Sequence, residues 1–147
     1  MGNIYEFKEE YLNECAELFV KTFSEEPWNE PWNFESAKKR LKDITLTPGF
    51  RGVILKNGGK IEGVILGVLE QWYDGEHFCV KEFFVDSNSQ GKGVGKKLLN
   101  ALENRLMDKK VGLIHFWTMK GGNAEAFYNK RGYEIPMELI MMRKELK

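Results

Sequence analysis

The sequence predicts an α+β domain, with a mostly antiparallel sheet that carries one parallel strand pair and about four flanking helices. Three observations predict it. Residues 52–85 hold three apolar runs separated by two tight-turn signals, Asn57-Gly58 and Asp74-Gly75, the pattern of an antiparallel meander. Residues 77–118 read as strand, glycine loop, helix and strand, and two strands joined through a helix pair in parallel by a right-handed crossover. Ahead of the meander, apolar residues recur at three- and four-residue steps, as on amphipathic helices.

Composition bounds the reading. The 147 residues suit one domain, residues 1–147, with a sizeable core. Lys and Arg together number 22, as do Asp and Glu, and that balance argues against a general nucleic-acid or membrane-surface binder. Cys15 and Cys79 lie in apolar surroundings, which favours buried thiols in a reducing compartment over a disulfide. Residues 1–5 lack the basic and apolar segments of a signal peptide. Glu6 stands where a myristoylation motif needs Ser or Thr, and no apolar run is long enough to span a bilayer. A soluble cytoplasmic protein is expected, as monomer or homodimer.

The elements follow in order. Residues 4–7 form a short strand candidate. Leu12, Cys15, Ala16, Phe19 and Phe23 mark a helix over residues 9–24, which Pro27 terminates. Residues 25–32 hold two prolines, two tryptophans and three glutamates. Trp28, Glu30 and Trp32 could wall a site for an amine, since aromatic faces and carboxylates both attract cations. The tryptophans could equally plug the core. Asn33 can cap a second helix with apolar Phe34, Ala37, Leu41 and Ile44, and Lys38, Lys39, Arg40 and Lys42 read as its solvated face. The meander strands cover residues 52–56, 60–73 and 76–85. A helix then runs from Gly93 to about Lys109, and a strand covers residues 112–118. Asn123 can cap a short helix that Gly132 stops. Residues 133–135 and 138–143 are the last two strand candidates, separated by Pro136.

The chemistry concentrates in residues 85–98. Gly91, Gly93 and Gly95 sit between the strand and a helix whose apolar positions are Val94, Leu98, Leu102 and Leu106. Glycine permits close backbone approach, and the first helical turn offers unpaired N–H groups with a partial positive charge. Together they make a cradle for a diphosphate. A P-loop is excluded, because Gln90 and Lys97 occupy its first Gly and its Ser/Thr positions. The dinucleotide spacing G-x-G-x-x-G fails as well, since Lys96 or Leu98 falls where its last Gly should be. The pattern present is Gln90-x-x-Gly93-x-Gly95.

Glu82 is the second focus. Strict alternation puts Phe78, Val80, Glu82 and Phe84 on one face of their strand, with Cys79 off it. A carboxylate in that apolar series is either a base whose pKa burial raises, or a structural group paired with Lys or Arg. His77 and His115 lack metal-ligand spacing with the cysteines, so no metal is expected.

The Gln90/Gly93/Gly95 pattern, in its strand-loop-helix setting, resembles the acyl-CoA-binding motif of the GNAT superfamily of N-acetyltransferases. Asn123-x-x-Ala126-Phe127-Tyr128-x-x-x-Gly132-Tyr133 is similar to that family's second motif. The element order matches the family over nearly the whole chain. The resemblance implies a twisted sheet of about six to seven strands with a splayed parallel pair, and acetyl-CoA as co-substrate. It implies backbone N–H groups of Gly91, Lys92, Gly93, Val94, Gly95 and Lys96 on the diphosphate, with Gln90 shaping the loop and Lys92, Lys96 and Lys97 serving the CoA phosphates. Phe84 and Val85 would meet the pantetheine arm through their backbone, the Val85 N–H would polarise the thioester carbonyl, and Asn123 would contact the arm. Tyr128 matches the frequent general acid. Glu82 matches the base proposed in aminoglycoside-type members. The implied reaction moves acetyl to a primary amine on a small cationic molecule by direct attack in a ternary complex. Acetylation of proteins or peptides, and a non-catalytic acyl-CoA sensor, are the alternatives.

Overall fold

The computed structural model describes residues 2–147, which divide into two compact units, one ending at Phe116 and the other comprising residues Trp117–Lys147. The first unit holds a five-stranded sheet in sequential order: β1 (Asn3–Glu6), β2 (Phe50–Asn57), β3 (Lys60–Trp72), β4 (Gly75–Val85) and β5 (Leu113–His115). The first four strands pair antiparallel, and β5 joins β4 in parallel. Both hairpin signals fall at the expected turns. Asn57-Gly58 connects β2 to β3, and Asp74 precedes the Gly75 that opens β4.

Helices α1 (Leu12–Ser24) and α2 (Phe34–Thr45) cover one face of the sheet. Their apolar stripes meet Ile54, Val64, Leu66 and Phe84 in one buried cluster. Asn33 caps α2 through a reciprocal box with Ser36, so the expected start of that helix holds. Helix α3 (Val94–Asp108) packs on the opposite face. A Cβ on Gly63 would lie 2.5 Å from the Leu98 side chain and 3.0 Å from that of Val94, so the missing side chain lets α3 approach β3. Leu98, Leu99, Leu102 and Leu106 complete this second core layer.

The strand that carries Glu82 departs from simple alternation. Leu66 pairs with Glu82 but Gly67 pairs with Val80, which leaves Lys81 as the extra residue of a β-bulge. Adjacent Leu66 and Gly67 point to opposite faces, so their partners do too. Glu82 and Phe84 therefore face α1 and α2, whereas Phe78 and Val80 face the other way. The uniform face Phe78-Val80-Glu82-Phe84 expected from sequence is corrected accordingly, and Cys79 shares the Glu82 face. Gly67 makes the bulge sterically feasible, since a Cβ there would sit 2.4 Å from the Cys79 carbonyl oxygen.

The second unit contains α4 (Asn123–Asn129). Gly122 occupies its cap position, so Asn123 begins the helix rather than capping it. Gly132, at φ 86°, turns the chain out of the helix, and the Tyr133 N–H bonds the Tyr128 carbonyl. The two strands expected at residues 133–135 and 138–143 do not form, so the sheet has five strands among the described residues rather than six to seven. A strand exists only through hydrogen bonds to a neighbour. Here Pro136 has no N–H to give, and its carbonyl accepts from the Leu139 N–H in a turn. Among the described residues no helix is long and apolar enough to cross a membrane.

Candidate active site

The glycine loop is anchored at its root by Asp86. Its side chain is 1% exposed and accepts from Lys21 Nζ at 2.6 Å and from the Asn88 N–H at 3.1 Å, with Lys60 Nζ at 3.2 Å. Burial alone would raise its pKa. The Lys21 bond, the Asn88 N–H and Lys60 outweigh burial and hold the carboxyl at about 2. Gln90 turns its amide back to donate to the Val85 carbonyl at 3.2 Å, which ties the loop to the end of β4.

Gly91 and Gly93 both adopt φ +80°, and a Cβ on either would meet no atom within 4 Å. The left-handed backbone explains why glycine stands there. The open space explains how a ligand could come close to the main chain. Gly93 caps α3 without any side-chain hydrogen bond, so the first-turn N–H groups have no capping side chain. These features fit a diphosphate. Lys92 and Lys96 are exposed beside the loop, and Val94 contributes backbone only because its side chain is buried. Lys97, expected with the phosphate cluster, instead donates to the Gly2 carbonyl and belongs to the packing.

β5 pairs with β4 only at His77, Phe78 and Cys79. Val85 lies well past that short ladder. The Asp86 N–H donates to the Glu62 carbonyl on the β3 side. Antiparallel alternation then turns the Val85 N–H the other way, to the edge of β4 that faces β5. The Phe84 side chain packs edge-on against Phe19 and Phe23, so that residue can offer only its main chain to a ligand.

Glu82 is assembled from distant parts of the chain. Its side chain is 14% exposed, and Arg40 Nε of α2 donates to its Oε2 at 3.0 Å. Burial pushes its pKa up, Arg40 opposes that, and the charge of Glu30 adds to the rise, leaving the carboxyl above its ordinary value. Glu82 is therefore paired with Arg40, as the structural reading expected, and its pKa is raised at the same time. Arg40 was not distinguishable from its lysine neighbours in sequence. Only the register of α2 against β4 selects it, and it is not merely part of a solvated face.

In the loop before α2 the tryptophans take the core-plugging role that was one of the two readings. Trp32 stacks edge-on against Phe19 and Trp28 against Phe23, so both rings seal the core. Trp32 Nε1 still donates to Glu30 Oε1 at 2.8 Å. Glu30, Pro31, Trp32 and Ser36 line an open depression of about 330 Å³. In the second unit, burial raises the Tyr128 phenol well above its ordinary pKa, and its ring packs against Phe127 and Tyr133.

The family model described as "Acetyltransferase (GNAT) family" matches residues 12–133. Solved structures resemble the whole chain at low identity. A possible acetyltransferase from Clostridium difficile 630 is 19% identical with a TM-score of 0.83, covering 100% of this chain and 99% of that one. An aminoglycoside acetyltransferase from an uncultured soil metagenomic sample, in complex with trehalose, is 20% identical with a TM-score of 0.76, at 99% and 97% coverage. AAC(6')-Iy, in complex with a bisubstrate analogue of CoA and acetylneamine, is 15% identical with a TM-score of 0.76, at 99% coverage of both chains. At such identities these likenesses establish the fold, and the family match carries the activity. The chain belongs to the GNAT acetyltransferase family and is an acetyl-CoA-dependent acyltransferase.

Proposed function

We propose that the protein transfers acetyl from acetyl-CoA to a primary amine of a small cationic molecule, by direct attack while both substrates are bound. The observation that carries this reading is Glu82: a shielded carboxylate of raised pKa, on the strand that feeds the glycine loop, with Glu30 adding negative charge nearby. A protonated amine is drawn to such a site, and a carboxylate with a raised pKa is better matched to accepting its proton. Trp28 and Trp32 stiffen the loop that presents Glu30.

The other roles follow from the chemistry required. Main-chain N–H groups from Gly91 to Lys96 hold the diphosphate, with Gln90 keeping the loop in shape. The backbone of Phe84 and Val85 aligns the pantetheine arm, and the Val85 N–H stabilises charge developing on the thioester oxygen. The amine nitrogen forms the new C–N bond as the C–S bond breaks. Its proton passes to Glu82, directly or through a water. Tyr128, kept protonated by burial, supplies a proton to the departing thiolate, and Asn123 contacts the arm. These last two assignments rest on the second motif.

A panel of small amines, polyamines and aminoglycosides, assayed against a lysine-bearing peptide for free-thiol release from acetyl-CoA, tests the reading. Faster turnover of the small cations is expected. Turnover of the peptide alone would overturn the acceptor class, and no thiol release with any amine would overturn the reaction.

A further inference from the structure

Cys79, which has no metal-ligand spacing to a histidine in the sequence, has company in the fold. It is 6% exposed on β4, and its register partner across the parallel ladder is His115 of β5. On the other side β3 brings Glu70, whose Oε1 lies 3.3 Å from His115 Nε2. One ligand atom from each of Glu70, Cys79 and His115 lies within 4.8 Å of the other two. The three residues are 9 and 36 positions apart in the chain (79 − 70 and 115 − 79), so no ligand spacing was visible in sequence. Strand pairing alone assembles them.

We infer that Glu70, Cys79 and His115 form a binding site for one zinc-class divalent cation, with three protein ligands and a fourth position open to water or a ligand donor. A thiolate, an imidazole and a carboxylate are together a donor set of intermediate softness, which suits zinc or cobalt and disfavours magnesium or calcium. In a tetrahedral site with metal–ligand distances of about 2.0–2.3 Å, donors stand roughly 3.3–3.8 Å apart, so the present spread needs only a modest side-chain contraction. Glu70 and His115 are partly exposed, at 36% and 42%, which leaves an entry path and room for the fourth ligand. The β4 bulge turns Cys79 to the sheet face of Glu82. The cation would therefore sit on the face to which the acceptor is assigned, as a clip across β3, β4 and the three-residue strand β5.

The site is independent of acetyl transfer, and so is its test. The full chain is titrated with cobalt(II) and, separately, with zinc in competition with a chromogenic chelator. One cation per chain and a thiolate-to-cobalt charge-transfer band are expected. Cys79→Ala should abolish the band, while Cys15→Ala, which alters the other thiol, should leave it intact. Glu70→Gln is the conservative variant that leaves the strand cores untouched. It should weaken zinc binding by at least about tenfold, the loss that even outer-shell changes produce. Absence of stoichiometric binding, a band that survives in Cys79→Ala, or unchanged affinity in Glu70→Gln would overturn the site.

Discussion

The glycine loop and the Glu82 pocket lie at successive points of one chain, yet they are built in opposite ways. The loop is made of backbone. Gly91 and Gly93 take left-handed conformations, α3 starts without a side-chain cap, and Gln90 bonds a carbonyl five residues earlier. These parts come from a short segment, and only the Asp86 root is held from a distance, by Lys21 and Lys60. The Glu82 pocket is made of side chains from three places: the loop before α2 supplies Glu30, α2 supplies Arg40, and β4 supplies the carboxylate. A backbone site is set by local conformation and tolerates changes of side-chain identity. A side-chain site is set by packing and responds to single substitutions through electrostatics.

That contrast can be broken or sharpened by experiment. The largest effect is expected for Glu82→Gln. With Glu82 as the proposed base, its removal should lower kcat by about 10²–10⁴-fold, with acetyl-CoA affinity by calorimetry unchanged. A wild-type rate would remove Glu82 from the chemistry. The counterpart is Gly93→Val. A β-branched residue forced to φ +80° costs about 1–3 kcal/mol and projects into the cradle, so acetyl-CoA affinity should fall roughly 10–100-fold. Unchanged affinity would mean the diphosphate does not sit there.

Gly67→Ala tests the bulge that divides the two faces of β4. Its Cβ would press on the Cys79 carbonyl, so a loss of about 1–3 kcal/mol is expected in urea unfolding. No loss would show that the bulge relaxes freely.

Two smaller effects separate the electrostatics of the regions. Arg40 holds the Glu82 pKa down against burial, so Arg40→Gln should move the acidic limb of kcat/KM to higher pH. A shift to lower pH, or none, would place that limb on another group. At the root of the loop the sign is reversed. Asp86 has a folded pKa of about 2, below its unfolded value near 4, so its contribution is complete above the unfolded value. It is lost as pH falls from about 4 through about 2. Asp86→Asn should therefore cost about 2 kcal/mol near pH 7, with the gap to the wild type closing over that window in urea titrations. A gap that does not change with pH would exclude the carboxylate charge as its source.

How much was legible in sequence follows the same division. Asn33 caps its helix, both hairpin turns fall where glycine follows Asn or Asp, and Gly132 ends α4. The last two strands were misread because an apolar run reports only that a segment could pair, and residues 133–147 form no ladder among the described residues. The two-face pattern of β4 was misread for a related reason. An inserted residue such as Lys81 has no local signature and is visible only against β3.

The sequence by itself determined the turns, the caps, the order of elements and the glycine loop. Each depends on backbone conformation, which neighbouring residues specify through φ, ψ and hydrogen bonding. Only the tertiary structure decided that Arg40 rather than Lys38 or Lys39 meets Glu82, and that Lys97 turns away from the loop. It also decided that Cys79 shares a strand face with Glu82 and stands beside Glu70 and His115. Those relations depend on register and on which helix faces which strand, and both emerge only when apolar surfaces distant in sequence are buried against one another.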